Sequence, residues 1–142
     1  MYKFSDQKIF PSKIYETGYL FKATEGLKKN AFKIKNFLNN NGSKFIISYF
    51  DEGVKSDKWG LSHRDLIFND LKKLLNFVLN NHEFALIVKP QFAFHKPSKI
   101  FNDKIFSVGL KTGRYFEAIE GSYRNNILPF QTALISNFTI GY

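Results

Sequence analysis

Apolar residues recur along the chain at two spacings, and the change from one to the other divides it into helices and strands. Leu27, Ala31, Ile34 and Leu38 fall at i, i+4, i+7 and i+11, which draws a single stripe along a helix. Lys28, Lys29, Lys33 and Lys35 lie off that stripe, so the spacing predicts a basic amphipathic helix over residues 27–39. Asn40, Asn41 and Gly42 then stop the helix and turn the chain. Ahead of it, Pro11, Gly18 and Gly26 punctuate short aromatic stretches without a period, and residues 1–26 receive no assignment.

Phe45 to Phe50 form a nearly continuous run of aromatic and β-branched residues, the pattern of a strand buried on both faces. A polar stretch from Asp51 to Ser62 follows, and Ser62 with Asp65 has the spacing of a helix capping box. Behind it Ile67, Leu71, Leu74 and Val78 repeat the helical stripe, and Asn80-Asn81 closes it. Phe84 to Val88 predict a second strand ended by Pro90. Ser98 then caps one helix carrying Ile100, Phe101, Ile105 and Leu110, terminated by Gly113. Tyr115 to Ile119 form a third strand, Pro129 to Leu134 a short helix, and Asn137 to Gly141 a fourth strand.

The order from Lys44 onward is therefore βαβαβαβ. Strands alternating with helices predict an α/β fold: an open, Rossmann-like parallel sheet with helices on both faces and right-handed crossovers. Residues 1–43 read as a leading segment containing the basic helix, and residues 44–142 as the Rossmann-like domain. A final strand without a following helix leaves part of the sheet uncovered, so the chain is expected to be an incomplete domain of something longer.

Composition narrows the chemistry. The chain has no cysteine, which excludes disulfide scaffolds, thiolate metal sites and cysteine nucleophiles. No apolar run approaches the roughly 20 residues of a membrane helix, and the N-terminus lacks a signal-peptide core; the expectation is a cytoplasmic protein. The net charge of +9 points to anionic partners. Lysine outnumbers arginine eighteen to three, against the usual preference of nucleic-acid readers for arginine's planar fork. Lys, Asn, Ile and Phe together make 61 of the 142 residues, and their AT-rich codons raise lysine without any functional demand. The excess is uneven: residues 1–50 carry nine lysines against three acidic residues, which suits a peripheral contact with anionic lipid or a polyanionic product.

In open parallel sheets, ligands bind beyond the C-terminal ends of the strands. That rim is predicted from Asp51 to Gly60, Lys89 to Gln91, Glu120 to Asn126 and Gly141 to Tyr142. Its cations, its glycines and the helix N-termini behind Ser62 and Ser98 suit a phosphate-bearing ligand, although no G-x-G-x-x-G or P-loop pattern occurs. Asp51 with Glu52 could serve as a carboxylate pair or as a polar strand end. Trp59 could stack on a ring or seal the core. His63, His82 and His95 share no metal-ligand spacing, and no metal site is expected.

The stretch Ser48-Tyr49-Phe50-Asp51-Glu52-Gly53, followed by Ser56-Asp57-Lys58-Trp59-Gly60, resembles the start of the C-terminal domain in glycosyltransferases of bacterial surface polysaccharide biosynthesis, of the two-Rossmann-domain (GT-B) type. Ile87-Val88-Lys89-Pro90 is similar to the K-P segment of those transferases. Thr112-Gly113-Arg114 and Phe138-Thr139-Ile140-Gly141 sit where that family has its next landmarks. The resemblance spans residues 27–142. It implies a sugar-nucleotide donor bound in this domain, a glycan or lipid-linked acceptor bound elsewhere, and neither metal nor cofactor at the diphosphate. Cationic side chains and helix dipoles would stabilise the leaving nucleotide. Lys89 would then contact a donor phosphate, within a rim that also includes Glu52, Gly53, Gln91, Arg124 and Asn125. Related transferases often place histidine after K-P, where this chain has Gln91, so no catalytic residue is assigned. The implied location is cytoplasmic, with a peripheral contact at the inner face of the membrane.

The rival reading is a non-enzymatic α/β module that holds nucleic acid or anionic membrane on its basic helix. A flavodoxin-like or receiver-like signalling domain is a third, disfavoured because acidic residues cluster after only one strand.

Overall fold

The computed structural model describes residues 25–51, 63–90, 96–118 and 127–141. Its elements are α1 (Glu25–Asn40), β1 (Phe45–Asp51), α2 (His63–Asn80), β2 (Phe84–Pro90), α3 (Pro97–Ile100), α4 (Lys104–Lys111), β3 (Tyr115–Glu117), α5 (Pro129–Ile135) and β4 (Phe138–Gly141). All strand pairings are parallel, in the order β3-β2-β1-β4. The chain steps outward from β1 through β2 to β3, then returns past β1 to lay down β4. This is an α/β, Rossmann-like sheet, and the strand order reverses between β1 and β4.

Strand alternation sends successive side chains to opposite faces, and each face builds its own core. Ile47, Tyr49, Leu86, Val88 and Tyr115 meet Ile67, Leu71, Leu75 and Val78 of α2 and Phe106 of α4. On the other face Ile46, Ala85, Ile87 and Ala118 meet Ala31 and Leu38 of α1 and Ile135 of α5. The basic helix thus packs on the sheet through the stripe read from its sequence. β1 and β2 are buried on both faces because both are central and covered twice.

Two helices end in the same way. Asn41 and Asn81 each turn a side-chain amide back on the carbonyl four residues earlier, to Phe37 at 2.8 Å and Phe77 at 2.7 Å. Each of those carbonyls also accepts the backbone N–H of the same asparagine, at 3.3 Å and 3.0 Å, so the amide adds a second hydrogen bond at the helix end. Gly42 then takes φ 93°, the left-handed conformation favoured for glycine.

The segment after β2 departs from the sequence expectation. Two helices stand where one was predicted, separated at Asn102, whose φ is 47°. Asp103 caps the second, its carboxylate accepting from the Ile105 N–H at 2.9 Å. Ser98 lies inside α3 instead of capping the longer helix. The buried side of α4 is Phe106 and Gly109, and Leu110 is exposed. A Cβ at Gly109 would lie 2.8 Å from Leu75 Cδ1 and 3.1 Å from Tyr115 Cβ, so the lack of a side chain lets α4 approach α2 and β3. The capping pair proposed at Ser62 and Asp65 falls partly outside the described residues, and Asp65 lies in the first turn of α2.

Candidate functional site

The C-terminal ends of the strands converge on one edge. Asp51 ends β1 opposite Pro90 of β2, Phe50 is opposite Lys89, and Gly141 of β4 is also opposite Phe50. Ala118, just after β3, donates its N–H to the Val88 carbonyl at 2.8 Å. Glu52, Gly53, Gln91, Arg124 and Asn125 themselves lie outside the described residues, as do Trp59, His95 and Tyr142. Lys89 is therefore the one predicted site residue whose surroundings are described.

Lys89 is 4% exposed and Asp51 5% exposed. Two charged residues thus end the adjacent central strands; the strand of Asp51 borders the point where the order reverses, and that of Lys89 lies one strand further. Alternation places Lys89 on the α1–α5 face with Ile87, and Asp51 on the α2 face with Tyr49. Burying an ammonium or a carboxylate costs several kcal/mol unless neighbouring charge or hydrogen bonds compensate it. Such residues concentrate at functional sites. The sequence leaves Asp51 open between a carboxylate pair with Glu52 and a polar strand end; its burial is not visible there, because acidic residues at strand ends are usually solvated.

Two further buried charges, Glu117 and Arg114, tie elements of the fold together. Glu117 at the end of β3 accepts from the Ser98 N–H and the Tyr115 hydroxyl at Oε1, and from the Ser98 hydroxyl at Oε2, all at 2.8 Å. It ties α3 to the sheet. Burial, reinforced by the Glu117 carboxylate, holds the Tyr115 phenol well above its ordinary range. Arg114 reaches under α2 and donates to the carbonyls of Val78 at 2.5 Å, Asn81 at 3.1 Å and Phe84 at 3.3 Å. It neutralises the negative end of that helix, and within Thr112-Gly113-Arg114 its work is to hold α2 to β3.

The near side of the switch point is also fixed by polar contacts. The Ile46 N–H donates to Asn137 Oδ1 at 2.9 Å, the Ser48 and Ser136 hydroxyls hydrogen-bond one another, and Ser136 donates to the Thr132 carbonyl at 2.6 Å. These contacts hold α5 and β4 in register with β1.

Among the described residues, no three His, Asp or Glu side chains gather as metal ligands. Among them, too, no helix is long and apolar enough to cross a membrane. No family model matches the sequence, and neither the curated proteins nor the solved structures contain a match to the chain.

Proposed function

We propose that the C-terminal edge of this sheet binds the diphosphate of a sugar-nucleotide donor, as the donor-binding part of a glycosyltransferase of bacterial surface polysaccharide biosynthesis. The observation that carries the reading is Lys89, buried at the end of a central strand one strand away from the strand-order reversal. A lysine at that edge can offer a phosphate a charge-assisted hydrogen bond, and such bonds are strong where water is partly excluded. The family resemblance of residues 48–60 and 87–90 supplies the sugar-nucleotide class.

In this reading the Lys89 ammonium stabilises negative charge on the departing nucleoside diphosphate, and the rigid sheet fixes its position before substrate arrives. Calorimetric titration with uridine, guanosine and thymidine diphosphates tests it. One of them should bind, and Lys89→Met, which keeps the apolar stem, should weaken that binding about 10- to 100-fold. Absence of binding by all three, or unchanged affinity in a folded Lys89→Met variant, would reject the proposal.

A further inference from the structure

We infer that the outward face of α1 docks the protein on an anionic lipid surface. Ala31 and Leu38 are fully buried in the core, so α1 is clamped to the sheet and the direction of its remaining side chains is set. Lys28, Lys29 and Lys33 are exposed. Phe32 and Phe37 flank them with 44% and 48% of their surface open to solvent. α1 opens on Glu25, and from Gly26 to Asn40 it carries lysines and no acidic residue, so over these residues the face is cationic with two large apolar side chains at its margins.

Beside Phe37 an open groove of about 400 Å³ runs past Ile34 and Phe116 to the exposed Leu110, with Lys33 at its rim and, among the described residues, no carboxylate in its lining. Cationic side chains with aromatic and aliphatic neighbours suit the headgroup boundary of a bilayer, where lysines meet anionic lipid and the rings enter the acyl margin. A nucleic acid would satisfy the lysines and could stack a base on Phe37, but it offers the aliphatic Leu110 no apolar partner, which favours the lipid. The helix, 16 residues long, presents this face over about 24 Å. Lys28, Lys29 and Lys33 are exposed whereas Lys89 is buried, and docking through the outward side of α1 does not depend on the donor reading.

The test is co-sedimentation of the whole chain with phosphatidylcholine vesicles, alone or containing about 30% phosphatidylserine, alongside binding to an oligothymidylate. Binding should require phosphatidylserine and fall steeply with salt. The triple change Lys28→Gln, Lys29→Gln, Lys33→Gln should weaken it about 100-fold, and Phe32→Ser with Phe37→Ser about tenfold. All five positions are exposed, and an unchanged melting temperature would confirm that each variant folds; Lys29→Glu alone provides a milder second variant with the same expected direction. Lys89→Met should bind vesicles like the parent. Equal binding to neutral vesicles, no vesicle binding, or tighter binding to the oligothymidylate that the phenylalanine changes leave intact would overturn the assignment.

Discussion

Glu117 grips Ser98 at two points, its two carboxylate oxygens accepting from the Ser98 N–H and hydroxyl at 2.8 Å each. The same carboxylate receives the Tyr115 hydroxyl at 2.8 Å, so one side chain satisfies three donors and joins β3 to α3. Glu117→Ala strands all three. A loss of about 2–4 kcal/mol is expected, read as a lower midpoint in urea unfolding with an unchanged slope.

Tyr115 predicts an alkaline limit. Its phenol is held neutral by burial and by the adjacent carboxylate, so its pKa in the folded state lies above that in the unfolded chain. The stability this contributes is complete below about pH 10, the ordinary tyrosine value, and declines as pH rises beyond it. Tyr115→Phe should flatten that decline while losing one hydrogen bond. A stability profile as steep in the variant as in the parent above pH 10 would count against this origin.

At acid pH the sign is reversed. The Ile105 N–H, followed by Lys72 at 3.0 Å, holds the Asp103 carboxyl below its ordinary 3.8. Its contribution is present above that value and is lost as pH falls through the lower folded value. Asp103→Asn, which keeps a capping oxygen, should reduce the acid sensitivity of thermal unfolding near and below pH 4.

Arg114→Ala would leave the carbonyls of Val78, Asn81 and Phe84 without their buried donor. About 3 kcal/mol of stability should be lost, and hydrogen exchange should accelerate first in the last turn of α2, which Arg114 caps.

Glycine substitutions separate space from backbone strain. Gly109→Ala drives a methyl into Leu75 and should cost about 1–3 kcal/mol; combining it with Leu75→Ala should cost less than the sum of the two changes. Gly113 takes φ 68°, and a Cβ there would lie 2.5 Å from Asn41 Cγ. Gly113→Ala therefore combines strain with a clash, and Asn41→Gly should relieve only the clash. Thermal melts of the two double variants, each beside its parents, check both.

Much of the fold was legible from local pattern. The stripe through Ala31 and Leu38, the runs at Phe45 and Phe84, and the paired asparagines at 40–41 and 80–81 fixed the main elements, because periodicity records which side of an element meets the core. The break at Asn102 was not legible. Ile100, Phe101 and Ile105 keep a helical spacing across it, and Asp103 overrides the pattern by offering the second helix a cap. Of the candidate site, Lys89 was visible through its place before Pro90. The work of Arg114 and Glu117 was not, since their partners lie 36 and 19 residues away at Val78 and Ser98.

The sequence alone determined the order of helices and strands and the basic character of α1, because each rests on neighbours within a turn or two, and the parallel direction followed from the alternation of strands with helices. Tertiary structure decided that β4 lies beside β1 and that α1 shares a face with α5. It also decided which charges are buried: Asp51 and Lys89 at one edge, Glu117 beneath α3, Arg114 beneath α2. Those outcomes depend on packing between segments distant in the chain, where desolvation and hydrogen bonding are set by whatever the fold brings alongside.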